Sequence, residues 1–103
     1  MTDIAQLHRE LIGRVLESTA SAPPGLRRSA FDNDGLDEPV RTLVAKVAER
    51  SFAVTDEDVA AARAAGLSED QIFEVVVCAA VGAADRQYVA ALAALAEATG
   101  GRR

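Results

Sequence analysis

Glu74 is the only charged residue between Gln71 and Ala84, inside the run QIFEVVVCAAVGAA, which is apolar on every helical face. Such a run is expected to be buried on both sides, and a buried carboxylate needs a partner or a raised pKa. Two readings stay open. Facing a pocket, Glu74 would be a general acid or base, with Arg86 as the clamp for a small anionic ligand. As structure, it would pair with Arg41, Lys46, Arg50 or Arg86 across a helix or subunit contact. Cys78 lies one turn beyond Glu74 on the same face. Next to an acid and among apolar neighbours its thiolate is disfavoured, so it reads as an inert core residue or, failing that, a lone redox or acylated thiol. His8 is the single histidine and borders the stripe of Ile4, Leu11 and Ile12. With no second histidine or cysteine nearby it makes no metal site and reads as a flank or interface residue.

The acid-rich segment Asp32-Asn33-Asp34-Gly35-Leu36-Asp37-Glu38 invites a calcium loop. With Gly35 as the sixth loop position, Ala30 and Arg41 fall on the first and twelfth, neither of which can ligate as required. A solvated turn leading into a helix cap is expected instead. No metal and no cofactor is implied by these residues.

The elements that must position these groups all read as helices. Ile4, Leu7, Leu11, Ile12, Val15 and Leu16 recur at helical spacing, giving a first helix from about Asp3 to Ala20, whose stripe needs a partner surface. Ala22-Pro23-Pro24-Gly25 is expected to stop it, and GLRRSAFDNDGL to Leu36 reads as an irregular connection anchored by Phe31. Asp37 is the expected cap of a second helix with Pro39 in its first turn and Val40, Leu43, Val44, Val47 and Ala48 facing inward. Thr55, followed by Asp56, Glu57 and Asp58, caps a third helix that ends at Gly66. Ser68 with Gln71 forms a second capping box opening a fourth. Gly82 suggests a break between Gly82 and Asp85, unless close packing requires the glycine. The expectation is therefore an all-α, compact helical domain of four to five helices. Residues 1–35 would be an N-terminal helix and loop, 36–98 the helical core, and 99–103 a frayed tail.

The chain has 103 residues, half of them apolar, with a net charge of −5. A domain this short and this rich in Ala, Val and Leu is expected to hide apolar area against further copies of itself. The four aromatics, Phe31, Phe52, Phe73 and Tyr88, suit close helix packing. The acidic balance argues against nucleic acid or an anionic membrane as partner. No membrane span is expected, because Asp85 and Arg86 interrupt the longest apolar run before about 18 residues. One cysteine excludes an internal disulfide and fits a reducing compartment, so a cytoplasmic location is expected.

The order of a short helix with A-x-x-x-G at its end, an S-E-D cap and a long Ala-rich helix resembles the carboxymuconolactone decarboxylase and alkylhydroperoxidase D-like superfamily, over about residues 36 to 98. In the redox branch of that family a C-x-x-C pair and a histidine open the helix that ends at the glycine. Here those places fall on Ser51, Val54 and Asp58. None can do the thiol chemistry: a serine is a poor redox group, valine has no reactive atom, and aspartate cannot replace a neutral imidazole. The family's proton-relay acid would fall on Pro39, beside Glu38, which makes Glu38 a catalytic candidate with Glu74 and Arg86. The resemblance implies a trimer or hexamer. It leads first to a redox-inactive structural or small-ligand-binding subunit. The alternative is a non-thiol acid–base enzyme on a small carboxylate or lactone, with a partner from the same operon able to complete the site. A lone-thiol protein acting through Cys78 comes last.

Overall fold

The computed structural model describes residues 4–17 and 20–100, and every regular element among them is helical. They are α1 (Ile4–Glu17), α2 (Pro24–Asp32), α3 (Val40–Glu49), a single 3-10 turn (Ser51–Ala53), α4 (Asp56–Ala64) and α5 (Glu69–Gly100). The chain is all-α. The outer residues of the expected first helix, Asp3, Ser18 and Thr19, lie outside the described residues, and Ala20 is not helical.

The connection expected to be irregular contains α2. Pro24 sits at its first turn, where the missing N–H is one that no helical carbonyl would have received and the fixed φ suits a helix. Leu26, Arg27, Ala30 and Phe31 then share one face, and the last three are buried. Phe31 is the anchor its type suggested, but on a helix. Asn33, at φ 53°, ends α2 in the left-handed conformation that asparagine tolerates. α3 starts without a side-chain cap from Asp37, and Glu38 bonds its first turn instead. Its expected inward face holds, with Leu43 and Val44 at its centre.

Local signals around α4 and α5 turn out as read. Thr55 Oγ1 accepts the Asp58 N–H at 3.3 Å while Asp58 accepts the Thr55 N–H at 2.8 Å. Gly66 takes φ 106°, which only glycine adopts freely. Ser68 and Gln71 bond each other's backbone at 2.9 and 3.1 Å. The expected break at Gly82 is absent, and α5 runs unbroken through Thr99 and Gly100, two residues beyond the expected helical core. Close packing is the reason: a Cβ on Gly82 would collide with the backbone of Phe31, so the glycine lets α2 lie directly on α5. Residues 101–103 lie outside the described residues.

Two buried clusters meet on α3. One joins Leu16, Phe31, Val44, Val75, Cys78 and Ala79. The other joins Leu43, Ala62 and Ile72, with Val54 and Val59 packed on it. α5, about 48 Å long at 1.5 Å per residue, sets the 56 Å long axis of a body that is 28 by 21 Å across. Its first half is covered by the other helices, whereas every residue from Val89 to Gly100 is exposed. By length and composition α5 as a whole could cross a membrane, a property its interrupted apolar run had argued against. The stripe on α1 also divides: Ile12, Val15 and Leu16 turn inward, and Ile4, Leu7 and Leu11 stay at least half exposed. Phe52 and Phe73, expected in close packing, are exposed at 87% and 68%.

Candidate functional site

Glu74 is half-buried, and its neighbours Phe73 and Ala80 are exposed, so the run around it is not covered on every face. Oε1 accepts the Ala22 N–H at 2.6 Å and Oε2 accepts the Ser21 N–H at 3.1 Å. Gln71 Nε2 donates to Ser21 O at 3.2 Å. These bonds satisfy backbone that lies between α1 and the two prolines opening α2, where no helical partner is available. The Ala22 N–H, more than any other group, holds the Glu74 carboxyl below its ordinary 4.5, with the Ser21 N–H and the nearby Arg27 guanidinium adding to it. Glu74 therefore pairs with none of Arg41, Lys46, Arg50 or Arg86. Its position corrects the expectation of a raised pKa, and within the chain it forms no ion pair with those four residues.

Arg27 is the buried cation, only 3% exposed. Its Nε donates to Ala22 O at 3.2 Å and its Nη1 to Val15 O at 3.1 Å. Val15 lies near the described end of α1, so Arg27 ties α1 to α2 through that carbonyl. The Cys78 thiol also points to Val15 O, at 3.7 Å. Burial pushes that thiol up, Glu74 pushes in the same direction, and Arg27 opposes both. The thiol form is favoured over the reactive thiolate. Beside these groups lies a recess of about 160 Å³, walled by Val15, Phe73 and Val77 with Arg27, Glu74 and Cys78 at its polar side. It is about the size that holds a single aromatic ring.

The other candidates stand elsewhere. Arg86 lies twelve residues from Glu74, about 18 Å along the helix, and its Nη1 donates to Phe31 O at 2.6 Å. The two do not form one anion clamp. Glu38 accepts from the Thr42 hydroxyl at 2.6 Å, the Thr42 N–H at 3.1 Å and Arg41 Nε at 3.3 Å. The Thr42 hydroxyl is the main reason its carboxyl lies below the usual 4.5. The three positions matching the redox motif each do structural work. Ser51 opens the exposed 3-10 turn, Val54 packs on the second core cluster, and Asp58 closes the α4 capping box. Asp58 also takes Lys46 Nζ at 2.9 Å, the largest cause of its lowered pKa. His8 sits where α1 crosses α5, with Nε2 2.7 Å from Asp85 Oδ1 and its ring 4.5 Å from that of Tyr88.

No protein-family model, no characterised protein and no solved structure matches this chain. The residues that sequence reasoning missed are Arg27 and the second role of Gln71. Pro24 as a helix-opening proline was the available signal. It would have placed Leu26, Arg27, Ala30 and Phe31 on one inward face and singled out Arg27 as a buried charge needing acceptors.

Proposed function

We propose that this chain is a redox-inactive, carboxymuconolactone decarboxylase-like protein that acts as an oligomeric structural or small-ligand-binding subunit in the cytoplasm. The observation that carries this reading is the uncovered stretch of α5 from Val89 on, where Val89, Leu92 and Leu95 are 55%, 47% and 60% exposed on a helix that continues past the described helices packed against it. Soluble monomers rarely leave so continuous an apolar surface to water. The charged groups that could have argued for catalysis support the same reading. Glu74, Arg27 and Arg86 hold backbone, Glu38 caps α3, and Asp58 caps α4. The recess at Arg27 favours the ligand-binding form of the proposal for a small, mainly apolar molecule. A membrane span by α5 is disfavoured by its first half, where Asp85 and Arg86 are bound to α1 and α2 and Gly82 lies under Phe31.

Native mass by light scattering tests the proposal, followed by native mass spectrometry of the same sample. The expected result is a multiple of the 10.8 kDa chain, three or six by the family resemblance. A retained small molecule would select the ligand-binding form, and a stable monomer would overturn the reading.

A further inference from the structure

α1 lies along α5 with Val15 beside Cys78 and His8 beside Asp85 and Tyr88, so the two helices run antiparallel and α1 begins near the middle of α5. The face that α1 covers on α5 carries Cys78, Val81 and Asp85, and the same helical face continues as Val89, Leu92 and Ala96. Beyond the start of α1 nothing among the described residues lies on it. α1 itself leaves a second stripe bare, Ile4, Leu7 and Leu11 at 72%, 50% and 50% exposed, beside the face it turns to α5. One chain thus presents two short apolar stripes, similar in length, that meet at the same crossing.

We infer that these two stripes are the contact between copies of this chain. The α1 stripe of one copy covers the α5 extension of a second, and the reverse contact forms by the same two-fold symmetry. Three observations commit the surface to a second copy. With about half or more of each large apolar residue accessible, on the order of 100 Å² per residue, two copies would cover about 1,200 Å², above the roughly 1,000 Å² that marks a specific interface. After Arg86 the only charge on α5 is Glu97, so the α5 stripe offers little to a charged protein or to lipid headgroups. Alanines fill the positions between the large residues from Val89 to Ala98, which lets a second helix approach closely. The inference rests on the oligomeric reading and makes it specific.

The experiment measures native mass for the wild-type chain and for Leu7→Glu and Leu92→Glu, with far-ultraviolet circular dichroism to verify helix content. Both residues are solvent-exposed within a single chain, so each variant is expected to keep its helices and to fall to half the mass of the wild-type assembly, as loss of a two-fold contact within a hexamer requires. In parallel, separately purified Leu7→Cys and Leu92→Cys are mixed and oxidised. A mixed disulfide exceeding that of Phe52→Cys with Leu92→Cys is expected, and it can form only between copies. A wild-type assembly whose mass neither glutamate changes would overturn this interface while leaving the oligomeric reading intact. A wild-type chain that is monomeric at every concentration would overturn both. Flotation of that monomer with neutral phosphatidylcholine vesicles would then identify lipid as what covers the stripe.

Discussion

Val75 and Val89 stand on the same helix fourteen residues apart, one fully buried and the other 55% exposed. The first half of α5 meets α4 and α3 at Ile72, α1 at Cys78 and Asp85, and α2 at Gly82. The stretch from Val89 on, equally rich in alanine and aliphatic residues, is exposed throughout and is covered by nothing among the described residues. Apolar composition states that a helix needs cover. It does not state who supplies it.

The largest effect that would break this contrast is at Gly82. Glycine to alanine inside a helix ordinarily gains about 1 kcal/mol, but here the added methyl enters the backbone of Phe31. Gly82→Ala is expected to destabilise by about 3 kcal/mol through overpacking, read by urea denaturation. A stabilised variant would mean that α2 does not lie on α5 as described. Next is the matched pair. Val75→Ala removes two fully buried methyls and should cost about 2 kcal/mol. Val89→Ala should stay within about 0.5 kcal/mol at high dilution. Its cost should grow with protein concentration if a second copy covers it, because binding to the folded form adds stability by mass action. Equal costs at all concentrations would remove the difference between the two halves.

The subtlest probe is pH. The native state holds the Glu74 carboxyl below 4.5, so the folded form binds fewer protons there than the unfolded chain. Its contribution is fully present above 4.5 and is lost as pH falls through the lowered native value. Thermal melts from neutral pH down through that range should show Glu74→Gln less stable than wild type at neutral pH, with the gap narrowing in acid. A gap independent of pH would mean that the Ser21 and Ala22 bonds do not depend on the charge.

Residues 55 to 71 were legible without any structure. The Thr55–Asp58 and Ser68–Gln71 boxes and the left-handed Gly66 each involve groups no more than three positions apart, where residue type and spacing define the contact. The inward face of α3 was legible by helical periodicity and Phe31 as an anchor by its type, whereas the run from Gln71 to Ala84, apolar on every face, gave no sign that Phe73 and Ala80 would be exposed. α2 was not, because two prolines and a glycine read as a stop when the second proline was in fact opening a helix. The candidate site was legible only as a set of residues. Glu74 was rightly singled out as needing a partner, and within the chain that partner is the Ser21–Ala22 backbone rather than any of the four cations suggested.

The sequence by itself determined that this chain is helical, where α4 and α5 begin, and that Ser51, Val54 and Asp58 supply no thiol or imidazole. Only the tertiary structure decided that Glu74 reaches Ala22 across 52 residues, that Arg86 reaches Phe31 across 55, and that Gly82 is a contact rather than a break. Caps and helical stripes arise from neighbours along the chain, whose geometry the backbone fixes. A carboxylate or guanidinium binds whichever unsatisfied backbone group the packing of distant helices brings within reach, and no local spacing encodes that choice.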